Sequence, residues 1–219
     1  MLRKTMAVCA VLCMVLTSAA QAQRRARRPR ARPPVLGLKL LTGLSGEVEF
    51  DGTGPGFPDP LEFGDRARWD LDPSYGLAVE LQFPQGRHLS LGGQLSLLRW
   101  NADRASDVGW NRNAIIALSF VPRVRVAANR RVDLYAALPL GIGRDQMDES
   151  WNAWLEDAFG LHIGVLVGIQ YAAERSVFLL AELGYSLHSF SQDHQIWPGD
   201  VQVGIGQVVL DVGVAFGMN

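Results

Sequence analysis

The chain has 219 residues, 21 Lys/Arg against 22 Asp/Glu, and is 48% hydrophobic and 9% aromatic. Both cysteines, Cys9 and Cys13, fall in the N-terminal apolar stretch, so the remainder carries no disulfide, and no later apolar run reaches the roughly 20 residues of a membrane-spanning helix. The near-zero net charge hides separate zones: six arginines and no acid from Arg24 to Arg32, then 13 Lys/Arg against 22 Asp/Glu from Pro33 onward.

In chain order, Arg3 and Lys4 precede an apolar stretch from Met6 to Leu16 and the small-residue site Ala20-Gln21-Ala22. This is the pattern of a secretory signal peptide, residues 1–22, cleaved before Gln23. Residues 23–34 form an Arg/Pro-rich segment that cannot bury apolar surface, so it is expected to be extended and disordered. Residues 35–219 alternate with a period of two. The first strand sets Leu36, Leu38, Leu40, Thr42, Leu44, Val48 and Phe50 on one face, and Gly37, Lys39, Gly43, Ser45, Glu47 and Glu49 on the other. The second, about 75–83, sets Tyr75, Leu77, Val79, Leu81 and Phe83 against Gly76, Ala78, Glu80 and Gln82. The third, 88–100, sets Leu89, Leu91, Leu95 and Leu97 against Ser90, Gly92, Gln94 and Ser96. Five more strands are read at about 112–126, 132–143, 160–171, 177–190 and 201–217.

Connections alternate in length. Short turns fall at 84–87, 128–131 and 173–176, and longer loops at 51–72, 101–111, 144–158 and 191–200, so short and long connections lie at opposite ends of a closed sheet. Alternation alone fits a soluble lipocalin-like carrier as well, with its apolar face turned inward around a greasy ligand. Three features favour the membrane form. Glycines such as Gly37, Gly43, Gly92, Gly168 and Gly184 recur on the polar face, where a narrow barrel is crowded. Aromatic residues of the apolar face lie near strand ends, Phe50, Tyr75 and Trp110 toward the loops and Phe83, Tyr171 and Phe216 toward the turns, as two interfacial girdles. The last strand ends Asp211-Val212-Gly213-Val214-Ala215-Phe216-Gly217-Met218, with Phe216 and Met218 outward.

With those residues, the chain from 35 to 219 resembles the small eight-stranded outer-membrane β-barrel proteins of Gram-negative bacteria. Asp211, Gly213, Phe216 and Met218 look like the family's assembly signal, although members usually finish on an aromatic residue and this chain finishes Met218-Asn219. The resemblance implies an all-β fold, an eight-stranded antiparallel up-and-down transmembrane β-barrel with short periplasmic turns and longer extracellular loops, located in the outer membrane. It implies outer-membrane lipids, lipopolysaccharide and the barrel assembly machinery as partners.

Inward parity collects Lys39, Glu47, Glu49, Glu80, Arg123, Arg125, Asp133, Glu182 and Asp211, which are expected to form a buried charge network filling a lumen just wide enough for side chains. Arg99 and Arg112 take outward parity near the loop ends, where an arginine lifts its head group out of hydrocarbon toward lipid or lipopolysaccharide phosphates. The loop at 51–72 lacks the Asp-x-Asp-x-Asp-Gly ladder of a calcium site, and Trp151 and Trp154 in the loop at 144–158 stand at helical spacing. Ser186, His188, Ser191, Asp193 and His194 supply the residue types of a hydrolase triad without a recognisable enzyme motif, and His162 and His188 take inward parity. No metal and no cofactor are expected. An exported chain meets no nucleic acid, so the arginine segment is assigned anionic lipid headgroups or an acidic periplasmic partner. The expected function is structural or surface-interaction and not enzymatic. The alternatives are a narrow channel for small or hydrophobic solutes, an outer-membrane lipid-modifying enzyme, and the soluble carrier.

Overall fold

A computed structural model describes residues 33–53, 66–101, 113–129, 131–146, 158–193 and 200–218. The expected signal peptide, the arginine segment up to Arg32, and the central parts of all four long loops lie outside them. The described chain forms eleven strands: β1 Val35–Thr53, β2 Arg66–Leu71, β3 Ser74–Pro84, β4 Leu89–Trp100, β5 Asn113–Phe120, β6 Arg123–Ala128, β7 Val132–Ala137, β8 Leu140–Gln146, β9 Ala158–Ala172, β10 Val177–Asp193 and β11 Asp200–Gly217.

These are eight staves, three of them notched by proline. β2 and β3 are separated by Asp72-Pro73, β5 and β6 by Val121-Pro122, and β7 and β8 by Leu138-Pro139. The register runs through each notch. Phe120 faces Leu140 and Arg123 faces Ala137 on one unbroken diagonal, and Gly43 faces Ser74 while Gly46 faces Leu71. Proline has no N–H to give the ladder, so it interrupts the strand locally without shifting the pairing. All pairings are antiparallel between neighbours in the chain, and β1 pairs β11 from Val35↔Gly217 to Thr53↔Asp200, which closes the sheet into an eight-stave barrel with no free edge.

The outer face carries the apolar residues. Leu38, Leu40, Leu77, Leu95, Leu118, Ile142, Leu161, Val167, Leu183 and Val212 are all among the exposed large hydrophobics. A closed barrel with this belt belongs in hydrocarbon, where every ladder bond is made within the wall. The carrier reading required the leucine-rich face to point inward, and it does not.

The interior explains the glycine pattern more sharply than small size alone. A Cβ on Gly168 would collide with the Tyr135 ring, on Gly92 with the Gln82 amide, on Gly160 with Phe190, and on Gly43 with Gln207 and Ser74. Each of these four glycines leaves space that a side chain on the neighbouring stave occupies.

One irregularity corrects the reading of the first strand. The β1–β11 register slips by one residue between Gly43 and Ser45. Leu44 and Ser45 therefore both lie outward, and the alternation beyond them is inverted. Val48 is fully buried inside, whereas Glu47 and Glu49 lie on the outer wall. The partner strand inverts with it: Leu71 and Ser74, three residues apart, are both buried. The first hairpin is also taller than its sequence pattern indicated, since β2 zips Arg66–Leu71 onto β1 and shortens the expected loop at 51–72.

Candidate functional site

The lumen is layered from the loop end to the turn end. At the loop end, Val48, Trp69, Leu71, Trp100, Ile115, Ala117, Ala158, Phe190, Val203 and Ile205 form one buried apolar cluster. Trp100 Nε1 donates to Oδ1 of Asp145, itself fully buried, at 3.3 Å. On β4 plain alternation suffices, because continuing its polar face past Ser96 brings Leu98 and Trp100 inside.

Beneath it lies a hydrogen-bonded polar layer. Ser119 Oγ is 2.7 Å from His162 Nδ1, His162 Nε2 is 3.1 Å from Ser186 Oγ, and Ser186 Oγ is 3.2 Å from His188 Nε2. The two imidazoles stack with centroids 4.3 Å apart and planes within 4°. Nearby, Ser74 Oγ donates to Gln207 Oε1 at 2.7 Å.

The third layer is ionic. Lys39 Nζ pairs with Glu80 and lies 2.6 Å from Glu182 Oε2. Arg123 Nη2 lies 2.7 Å from Glu80 Oε2 and 2.5 Å from Glu182 Oε1. Tyr135 donates its hydroxyl to Glu182 Oε1 at 2.7 Å, and the Arg123 guanidinium stands 4.6 Å over the Tyr135 ring. Two cations and two anions thus balance in a buried setting, with every side chain of the quartet at most 8% exposed. Asp211 is buried too, across the strand from Glu182.

Below the quartet the lumen widens into a cavity of about 580 Å³, lined by Glu80, Arg123 and Tyr135 at its inner end and by residues of the three turns at its mouth. There Arg125 Nε lies 3.0 Å from Asp133 Oδ2, and Arg125 Nη1 donates to the Arg87 carbonyl at 2.6 Å.

No protein-family model and no curated protein sequence matches the chain. Solved structures do match its fold. The outer membrane protein OprG from Pseudomonas aeruginosa superposes with a TM-score of 0.58 at 9% identity, covering 87% of this chain and 98% of that one. AlkL, solved by solid-state NMR in lipid bilayers, gives 0.56 at 11% identity over 89% and 94%. Neisserial surface protein A gives 0.51 at 13% identity over 87% and 100%. The fold is that of the small eight-stranded outer-membrane barrels. At these identities the likeness concerns architecture, and the roles of this barrel's residues have to be argued from its own geometry.

Of the nine charges assigned to the lumen, the barrel brings Lys39, Glu80, Arg123 and Glu182 into contact and buries Asp211 beside them. Arg125 and Asp133 form a separate pair at the turn-side mouth. Glu47 and Glu49 do not belong: they stand on the outer wall, 3.2 and 3.6 Å from Arg68, because the bulge at Leu44 reverses their parity. The lumen participants missed include Asp145, which the sequence reading left in the loop at 144–158, and Ser74 with Gln207. Also missed, Tyr135 and Gln94 belong to the ionic layer, with Lys39 Nζ 3.3 Å from Gln94 Oε1, and Ser119 and Ser186 to the polar one. The inward parity of these last four was available, but apart from Ser186 they carried no charge or motif that singled them out.

Tyr75, Phe83, Tyr171 and Phe216 are exposed on the outer face, as is Met218, while Gly213 lies in β11 across from Lys39. The Phe50 side chain, Trp110 and Arg112 lie outside the described residues. Arg99 is outward and exposed, across from Tyr75 and Ala114. The triad candidates are dispersed: Ser186 and His188 are buried in the lumen, Ser191 is exposed on the outer wall, and the Asp193 side chain and His194 lie outside the described residues. Among the described residues no three His, Cys, Asp or Glu side chains gather as a metal site.

Proposed function

We propose that this chain is an outer-membrane barrel with a structural or surface-interaction role, whose lumen does not conduct. The observation that carries the reading is the layering of the lumen. A neutral ion-pair quartet spans its section, and an apolar layer containing Trp69, Trp100 and Phe190 lies over it. Ions crossing this route would have to break buried pairs and then pass through a predominantly apolar layer in which the buried Asp145 is held by Trp100, both costly in a low-dielectric interior. An eight-stave barrel has little interior beyond what its side chains fill. With transport unsupported, the wall and the loop-side extensions of β1, β2, β10 and β11 are what the protein offers to its surroundings.

The test is single-channel recording on the folded full chain in planar bilayers, with the heat-dependent gel shift of the same sample as proof that the barrel has formed. Absence of discrete openings, from the wild type and from Glu80→Gln, supports the sealed reading. Discrete openings of the wild type that change on Glu80→Gln or Arg123→Gln refute it and make the quartet a gate.

A further inference from the structure

We infer that the turn-side cavity is a binding pocket for a compact organic carboxylate with an apolar body. The inference rests on the sealed-lumen reading above, because the quartet and Tyr135 form the pocket's floor. Its volume of about 580 Å³ lies within the roughly 300–1,000 Å³ that small-molecule sites occupy. From Arg131 at the mouth to Tyr135 at the floor the wall runs about 14 Å along the strand, or roughly 10 Å of depth at a barrel tilt of ~40°. A membrane acyl chain, roughly 15 Å long at half the hydrocarbon thickness, would protrude. A compact body fits.

The walls of the cavity differ around the ring. On β10, β11 and β1, which are consecutive staves, it is lined by Phe178, Leu180, Ala215, Gly37 and Val35. From β3 round to β9 it is lined by Gln82, Ser90, Arg125, Asp133 and Gln170. One side is therefore apolar and the facing side polar. On the apolar side the space is opened by small residues that no neighbouring side chain fills. Gly37 lies across from Ala215, and Val35 across from Gly217. A Cβ added to Gly37 would meet nothing nearer than 3.6 Å, and one added to Gly217 nothing nearer than 3.8 Å. Gly168 and Gly92 are the contrast, since Tyr135 and Gln82 occupy the space they leave.

The charge that selects the ligand stands at the mouth. Arg131 and Arg175, both exposed, belong to the turns that join β6 to β7 and β9 to β10, and the Ala172 N–H donates to the Arg131 carbonyl at 2.7 Å, which ties the two turns together. Each turn is also held by its own bonds. Asn129 Oδ1 accepts from the Arg131 and Val132 N–H groups at 2.9 and 2.7 Å, and the Val177 carbonyl accepts from those of Ala173 and Glu174 at 3.0 and 3.1 Å. Deeper in, Arg123 is held by Glu80 and Glu182, and Arg125 by Asp133. Among the described residues neither Arg131 nor Arg175 has an ion pair, and the one carboxylate beside them is Glu174, so the mouth is net positive. Guanidinium suits carboxylate through paired, charge-assisted hydrogen bonds. An acid held at the mouth lays its apolar body along Phe178 and Leu180, and the polar side opposite stays hydrated. A cation of the same shape has no such anchor.

The experiment irradiates the folded full chain in vesicles with the photoreactive acid 4-benzoylbenzoate and locates the adducts by tandem mass spectrometry. Every variant is first shown to give the heat-dependent gel shift. Leu179 faces outward between Phe178 and Leu180, so its adducts record labelling from the bilayer and serve as the internal reference. In the wild type, the ratio of Phe178 and Leu180 adducts to Leu179 adducts should be at least about fivefold higher with the acid than with 4-(aminomethyl)benzophenone, which carries a cation on the same body. Arg131→Gln/Arg175→Gln should lower the ratio for the acid about 5–30-fold, as expected for two charge-assisted contacts at an exposed rim. Arg99→Gln, at the loop end of the outer wall, should leave it unchanged. Val35→Trp and Leu180→Trp fill the cavity from its mouth and from its floor, and whichever of them folds should lose the inward adducts. Equal ratios for the two probes, an unchanged ratio in the double arginine variant, an equal loss in Arg99→Gln, or inward adducts that persist in a folded tryptophan variant overturns the pocket. Discrete openings in single-channel recording of the same wild-type sample overturn the sealed-lumen reading, a separate outcome.

Discussion

Glu182 is the residue on which the ionic layer turns, and its neutralisation measures how that layer is held. Its carboxylate receives Lys39, Arg123 and Tyr135 within 2.7 Å and has no solvent exposure. Glu182→Gln keeps the shape and removes the charge, which leaves Lys39 and Arg123 to share Glu80. Breaking a buried pair from one side typically costs about 3–5 kcal/mol, because the surviving charge is left uncompensated without the water it had in the unfolded chain. Removing the surplus cation should reverse part of that loss. In Lys39→Met/Glu182→Gln, Arg123 and Glu80 still pair at 2.7 Å and the methionine fills the lysine's space. The double variant should therefore be more stable than Glu182→Gln alone, with a coupling of about 1–3 kcal/mol. Urea titration of the barrel folded into lipid vesicles, followed by tryptophan fluorescence and by the fraction running as the unheated form, gives all four corners of the cycle. Unfolding of Glu182→Gln at the wild-type urea concentration would refute the reasoning, and so would losses that simply add.

The bulge at Leu44 makes opposite predictions for neighbouring residues: on intact cells a membrane-impermeant maleimide should label Glu47→Cys and spare Val48→Cys, and the reverse pattern would restore simple alternation. Gly168→Ala pushes against a Tyr135 ring whose hydroxyl is held by Glu182, so it should cost about 1–3 kcal/mol in the same urea titration. Gly206→Ala meets only the hydroxyl end of exposed Tyr185, which can swing aside, and should change stability by less than about 0.5 kcal/mol. Pro139 faces Gly164, whose N–H donates to the Pro139 carbonyl at 2.8 Å, but proline returns no N–H to the Gly164 carbonyl. Pro139→Ala supplies that donor in a wall with little access to water and should raise the urea midpoint; a lowered midpoint would mean that proline's restriction of the unfolded chain outweighs the missing bond.

The period of two, the alternation of turn and loop lengths and the paired ends of the chain were all legible in the sequence, because each follows from local pattern. The notches at Pro122 and Pro139 left that reading intact, since a proline removes a donor without changing which face the next residue takes. Leu44 was different. Leu44-Ser45-Gly46-Glu47 alternates as well as any part of the first strand, and the extra residue is visible only against β11, where Ser45 meets Val208 and not the residue the earlier register would supply. The bulge moved two acids out of the lumen and brought Val48 in.

The bulge also gives the layering a physical sense. With Glu47 and Glu49 inside, their cross-strand partner Arg68 would turn inward with them, and the loop end of the lumen would bury three more charges beside Asp145. With Val48 inside, joining Trp69, Leu71 and Ile205, that end is predominantly apolar. The quartet of Lys39, Glu80, Arg123 and Glu182 then lies between this apolar end and the cavity on the turn side, with its side chains buried, where their mutual attraction is weakly screened. One additional residue in β1 thus separates the acids that serve the outer surface from those that bind the inner wall together.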